Sequence, residues 1–302
     1  MRIVGSPRYR IDIGPHVFPT AKYEELHRQL TAQDGWDWIE PGPASWEELA
    51  LVHTREYLAK AKEGGFSAEE IRELELPWSR EVVEGFRLMS GGTIAAARLA
   101  MSDGIGVHAG GGFHHAFANH GEGFCLFNDV AVAIRVIQRE HRAARVAIVD
   151  LDVHHGNGTS MIFDGDVSVF TFSMHQRHNY PVFKPRSRLD IGLDDGTAGA
   201  EYNDRLRGAL PAVLASNPDA VFYLAGADPF EHDQLGGLAM TRSDLLDRDR
   251  IVFDACMKAG LPVVVTLAGG YARRLEDTVA IHRATIEVAR ATFTAGSGRQ
   301  PS

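Results

Sequence analysis

The chain has 302 residues, 44% of them hydrophobic and 24% charged, with a formal net charge of −9, values that suit a globular domain and exclude a disordered chain. An acidic chain with no Lys/Arg block repels a phosphate backbone, and no apolar run is long enough to span a bilayer, so neither nucleic acid nor membrane is an expected partner. Two distant cysteines, Cys125 and Cys256, exclude a disulfide framework, and the opening MRIVGSPRYR lacks a signal-peptide core, which makes the reducing cytoplasm the expected compartment.

In chain order, the first strand-like run is 2–4, followed by helical stretches at 46–61 and 81–100. A strand at 104–108, a helix at 129–141 and strands at 145–149 and 168–172 come next. The remainder alternates a helix at 200–215, a strand at 220–224, a helix at 243–259, a strand at 262–267 and a helix at 275–291. Residues 295–302 (AGSGRQPS) read as a frayed tail, which leaves 1–294 as one domain. Apolar strands alternating with helices predict a parallel sheet covered on both faces, whose ligands bind beyond the C-terminal strand ends.

The unusual polar residues fall at those ends. His108, His114 and His115 follow one strand, and Asp150, Asp152 and His154 end another. His175, Asp228 and Tyr271 follow three more, a clustering that solvated surface positions would not produce.

In Val149-Asp150-Leu151-Asp152-Val153-His154, alternation puts Asp150, Asp152 and His154 on one face and Leu151 and Val153 in packing. Carboxylates and an imidazole buried together need a partner, and a divalent cation is one. A capping Asp with satisfied core histidines is the other reading, and the pattern also resembles arginase-type manganese sites, so this motif alone does not choose the metal. Asp228 in Leu-Ala-Gly-Ala-Asp-Pro is by itself a common helix cap. With Asp152 and His154 it completes two carboxylates and one imidazole with a position left open, as catalytic zinc requires. The glycines before His114-His115 and Tyr271 allow close approach to a ligand, and a phenol there can donate to an oxyanion.

GGGFHHAFANHGEGFCLFND, VDLDVHHGNG, AGADPFEHDQLGGLAMT and LAGGY, in this order and spacing, resemble the histone deacetylase family across residues 3–291. SPRY, VHTREYL, GGTI, GNG and RHNYP are most similar to its class IV. The resemblance implies a single-domain arginase/deacetylase-like α/β fold and zinc-dependent hydrolysis of the side-chain amide of acyl-lysine. Iron(II) is the alternative metal. Zinc would be held by Asp152, His154 and Asp228, and a structural potassium by Asp150, Asp152, His154, Ser173 and Met174. His114 and His115 match the tandem histidines, with His115 the general base and then acid acting on a metal-activated water. Asp150 matches the partner of His114, and Asn157 stands where some classes have a second Asp, which leaves His115 less basic. Tyr271 matches the tyrosine that polarises the carbonyl. Phe124 and Tyr180 match the walls of the acyl-lysine tunnel, with Gly123, Leu235, Gly269 and Gly270 around it.

The expected partner is an acyl-lysine protein or peptide, or an acylated small amine if the chain is an acetylpolyamine amidohydrolase. A non-catalytic acyl-lysine-binding protein is the reading from another class, and the complete set of reactive residues argues against it. An arginase-type ureohydrolase needs more bridging carboxylates. Class IV resemblance further implies long fatty acyl substrates, for which the small residues Ala109, Gly110, Gly111, Gly112, Gly269 and Gly270 would leave room below the metal; the alternative is that these glycines serve only tight turns, with the space filled by neighbouring side chains. His155 is expected to pack, His120, His178 and His232 to sit in rim loops, and His16 to cover the site edge.

Overall fold

The strands that are apolar on both sides form the centre of a parallel sheet in the computed structural model, which describes residues 1–296. The strands are β1 (Arg2–Val4), β2 (Asp37–Ile39), β3 (Ile105–Val107), β4 (Val146–Asp150), β5 (Val169–Gln176), β6 (Leu189–Leu193), β7 (Ala220–Leu224) and β8 (Val263–Thr266). Six of them lie in the order β3-β8-β7-β4-β5-β6, and every pairing is parallel. β1 and β2 pair separately, and a single bridge from Val4 to His108 joins them to the β3 edge.

The helices are α1 (Ala21–Thr31), α2 (Trp46–Leu49), α3 (Arg55–Glu63), α4 (Ala68–Leu74), α5 (Arg80–Asp103), α6 (Asp129–Arg139), α7 (Asn157–Ile162), α8 (Gly199–Ala215), α9 (Arg242–Lys258) and α10 (Leu275–Gly296). Side chains alternate across the sheet, so Ile148, Phe222 and Val264 pack with Phe86, Val130 and Ile134 of α5 and α6. Val149, Tyr223 and Val265 point the other way, onto Leu206, Phe253 and Ile286 of α8, α9 and α10. This is the sheet covered on both faces that the apolar strands predict. No helix among the described residues is long and apolar enough to cross a membrane.

Departures from the expected elements have local causes. The helix expected over 46–61 is two, because the Thr54 side chain accepts from Tyr57 N and caps a new start. The Thr54 amide is meanwhile taken by Ala118 O at 2.8 Å. β2 and β6 are partly exposed edge strands without a continuous apolar run, and the short α4 is recognisable mainly by its Ser67/Glu70 capping box. α1, with Leu26 and Leu30 in the core, and α7 were not anticipated. Of the expected tail, Ala295 and Gly296 close α10, and 297–302 lie outside the described residues.

α9 carries a fully buried ion pair behind the sheet. Arg248 Nε and Nη2 donate to Asp249 Oδ1 at 3.0 and 2.9 Å, and its Nη1 donates to Gly226 O at 2.5 Å. Tyr223 and Thr285 hydroxyls complete the Asp249 shell. Removing one partner of such a pair strands a buried charge. Arg248→Met is therefore expected to lower unfolding free energy by about 3–5 kcal/mol in urea denaturation; a loss below about 1 kcal/mol would mean that Asp249 is satisfied without it.

Candidate active site

The ends of four neighbouring strands converge. β4 delivers Asp150 and continues through Asp152 to His154, with Leu151 and Val153 buried in the opposite core as alternation requires. The segments after β7, β8 and β3 supply Asp228, Tyr271 and the His114-His115 pair.

Asp152, His154 and Asp228 are all buried, and each offers a ligand atom within 4.8 Å of the others. His154 Nδ1 lies 2.9 Å from Asp152 Oδ1 and 3.4 Å from Asp228 Oδ2. The other carboxylate oxygens are fixed by backbone amides, Gly269 N to Asp152 Oδ2 at 2.7 Å and Val153 N to Asp228 Oδ1 at 2.9 Å. Asp228 Oδ2 has no hydrogen-bond partner although it is buried. A side chain at Gly269 would overlap that same oxygen, so glycine keeps the space between the carboxylates open. Burial, then the neighbouring Asp152, lifts the Asp228 pKa to about 7. Burial opposes charge on His154, yet Asp152 and Asp228 outweigh it and raise its pKa to about 10. Both shifts express one demand, for positive charge between two carboxylates. The donor set fits a divalent cation with an open position.

His114 and His115 stack with ring centroids 4.2 Å apart. His114 Nδ1 donates to Asp150 Oδ2 at 2.7 Å, and His115 Nδ1 donates to Asn157 Oδ1 at 2.7 Å. Burial disfavours the His114 cation, but Asp150 and Asp152 outweigh it and lift its pKa to about 9. For His115 burial and then the charges on His114 and His154 act together, holding its pKa well below the usual range. One imidazole is thus built to be cationic, the other to keep a free lone pair. The glycine loop before them is held by Asp129, which accepts from Gly112 N and Phe113 N.

A tunnel of about 160 Å³ leads to His115, His154 and Tyr271 between Phe124, Tyr180 and Leu235, with Gly123 and Asn179 along it. Phe124 holds a φ of 66°, a conformation that L-residues rarely adopt and that turns its ring into the wall. A side chain at Gly123 would press on Tyr180 and His115. His16 covers the edge as expected, with its ring 4.8 Å from that of Phe124 and its Nε2 bonded to Glu75 O at 2.8 Å. Burial, then Asp152 and Asp228, raises the Tyr271 pKa well above 10, so its hydroxyl keeps its proton.

Of the two readings of the small residues below the metal, the structure favours tight packing. The cavity beyond the triad, toward Phe18, Tyr23, Phe113 and Cys125, measures about 20 Å³, room for about one water rather than a fatty chain. A Cβ on Gly112 would come within 2.7 Å of Ala268 Cα, so the glycine serves close packing of two loops and leaves no vacant floor. Ser173 and Met174 lie buried on β5 with Asp150 in register opposite Ser173, and Ser173 Oγ bonds His175 Nδ1 at 3.0 Å. His155 points away as expected, toward Asp190 at 3.2 Å.

Several residues here were not singled out by sequence. Asp233 accepts from Leu235 N at 2.8 Å and from Tyr271 N at 2.7 Å, tying two sides of the tunnel together. Lys22 is fully buried and donates to Ala268 O at 3.2 Å; burial lowers its pKa to about 8 against the pull of Asp228 and Asp152. Glu75 lines the tunnel mouth, and Glu122 accepts from both Asn157 and Tyr180. Asp233 sits inside the AGADPFEHDQLGG motif, where its spacing could have marked it; α1 and Lys22 left no comparable signal.

Comparison with known proteins adds the family. The histone deacetylase domain matches residues 16–286. An uncharacterized protein of Picosynechococcus sp. is 42% identical over 284 residues, covering 90% of this chain and 94% of that one. Histone deacetylase 2 of Arabidopsis thaliana is 32% identical over 87% of this chain and 73% of its own. The acetoin utilization protein AcuC of Bacillus subtilis is 35% identical over 72% and 62%. Among solved structures, the HD domain of HDA15 superposes with a TM-score of 0.79 at 25% identity, covering 98% of this chain and 92% of that one. A histone deacetylase homolog from Aquifex aeolicus gives 0.80 at 24% identity, covering 95% and 83%, a likeness of fold. The chain, with its parallel sheet and strand-end triad, belongs to the histone deacetylase family.

Proposed function

We propose that this deacetylase-family chain is one catalytic domain, 1–294, that hydrolyses the side-chain amide of acetyl-lysine in a protein or peptide in the cytoplasm. The observation that carries the reading is a narrow tunnel that ends on a lone-pair imidazole, a protonated phenol and His154, the imidazole of a buried triad in which Asp228 keeps one oxygen without a hydrogen bond. Asp152, His154 and Asp228 would hold zinc, with iron(II) the alternative, and Asp150, Asp152, His154, Ser173 and Met174 a structural potassium. Bound there, zinc supplies a Lewis acid that polarises the carbonyl and lowers the pKa of water.

The chain's own residues divide the remaining work. Phe124 and Tyr180 hold the lysine stem in an apolar sleeve and exclude bulk water. His115, neutral and anchored through Nδ1, takes a proton from the attacking water at Nε2 and returns it to the departing amine, which cannot leave as an anion. Tyr271 donates to the carbonyl oxygen as charge develops on it. Asp150 holds His114 in place and balances its charge beside His115.

An acylated small amine is a second substrate reading, favoured by the carboxylate of Glu75 at the tunnel mouth, which suits a cationic amine. Acetylputrescine assayed against an acetyl-lysine peptide separates the two.

Asp228→Ala should lose the divalent metal and the activity together while staying folded. Metal analysis of the purified variant checks it, and a full equivalent of zinc with normal turnover would remove Asp228 from the ligand set. Tyr271→Phe should lower kcat by roughly 10²–10³ with little change in KM, as loss of an oxyanion donor does. Retention of kcat to within a few-fold would make Tyr271 a wall residue only. The filled floor predicts that kcat/KM falls steadily from acetyl- to octanoyl- to myristoyl-lysine on one peptide; a rise with chain length would require the loops at Gly112 and Ala268 to separate.

A further inference from the structure

We infer that Glu122 is a positioning residue for His115, acting through Asn157, and so restores one bond further back the carboxylate that position 157 lacks. The inference rests on the proposed deacylase reading for its kinetic test alone. Glu122 Oε1 accepts from Asn157 Nδ2 at 2.8 Å and from the Tyr180 hydroxyl at 2.7 Å. Its side chain is 13% exposed, and His120 Nε2 stands 3.7 Å from the other oxygen. Burial would raise its pKa, but the bonds from His120, Tyr180 and Asn157 outweigh burial and keep it ionised.

An ionised carboxylate only accepts hydrogen bonds. Asn157 must therefore turn its NH2 toward Glu122, which leaves its carbonyl oxygen facing His115 Nδ1 at 2.7 Å. A carbonyl oxygen also only accepts, so the proton of neutral His115 must sit on Nδ1. Nε2 is then a lone pair on the ring that lines the tunnel. An amide by itself has no such polarity: flipped, it would donate to Nδ1 and drive the proton onto Nε2, a tautomer that cannot accept one from water. Glu122 selects the working orientation. The same oxygen holds Tyr180, so the general base and one tunnel wall share an anchor on the loop that carries Gly123 and Phe124.

The test combines kinetics with a direct reading of the tautomer. Glu122→Leu should lower kcat on an acetyl-lysine peptide by roughly 10–100-fold, part of what a general base contributes. Tyr180→Phe, which removes only the bond to the wall, should act mainly on KM. Adding Asn157→Asp to Glu122→Leu places a carboxylate directly on His115 Nδ1 and should recover kcat to within about 5-fold of wild type. An unchanged kcat in Glu122→Leu, or a loss that Asn157→Asp fails to relieve, overturns the inference. Long-range 1H–15N NMR of the protein as purified should show His115 protonated on Nδ1 in wild type and a shift toward Nε2 in Glu122→Leu. An Nε2 proton already present in wild type overturns the inference even if that variant misfolds. If wild type hydrolyses no acylated amine, it is the deacylase reading that fails, and the NMR result still decides the role of Glu122.

Discussion

Everything around the site answers to one electrostatic constraint: three carboxylates, Asp150, Asp152 and Asp228, are buried within a few residues of each other's strands. Burying anions is expensive unless each finds hydrogen bonds or opposite charge. Asp150 takes the His114 imidazole and the Asp152 amide, and Asp152 takes Gly269 N and His154. Asp228 takes Val153 N with one oxygen and leaves the other without a hydrogen bond, 3.4 Å from His154 Nδ1. A fourth nearby carboxylate, Asp233, is satisfied differently, by three backbone amides of the tunnel rim. After these pairings the surplus is concentrated on the Asp152–Asp228 pair, where a cation belongs.

The parallel sheet makes that concentration affordable in structural terms. Every central strand ends on the same edge, so adjacent strands can each contribute one polar group there while their interiors stay apolar on both faces. The Arg248–Asp249 pair then works from behind. Its guanidinium donates to Gly226 O, two residues before Asp228, and so connects the core of α9 to the geometry of a carboxylate it never touches. On the other side Lys22 donates to Ala268 O, one residue before Gly269. Two buried cations thus steady the two loops that carry the metal-facing oxygens.

Legibility in the sequence followed the strength of the local pattern. Central strands read plainly because β4, β7 and β8 are buried on both faces and carry almost nothing but aliphatic and aromatic residues. Two members of the triad, Asp152 and His154, read plainly because Asp-x-Asp-x-His projects by simple alternation once the strand is recognised, whereas Asp228, which by itself reads as a common helix cap, took its meaning from them. Edge strands β2 and β6 did not, being short and half-exposed. Nor did Glu122, whose meaning depends on Asn157 35 residues away and on Tyr180 58 residues away. The space below the metal stayed open between two readings for a related reason: glycines in a motif show that something comes close, and only the fold shows that at Gly112 it is the Ala268 backbone.

The two histidines illustrate how the same side chain takes opposite tasks from its surroundings. His114 faces Asp150 directly and has Asp152 at 3.7 Å, so its charged form is favoured despite burial. His115 faces an uncharged amide, with the formal charge of Glu122 one residue further off, so its proton position is fixed while its charge is not stabilised. A carboxylate in direct contact would do both, making the base stronger but also easier to protonate before substrate arrives. Separating orientation from charge keeps a neutral lone pair directed into the tunnel, and a neighbouring imidazolium discourages a second proton there. What looks like a missing carboxylate at position 157 is, on this geometry, a carboxylate moved back by one hydrogen bond.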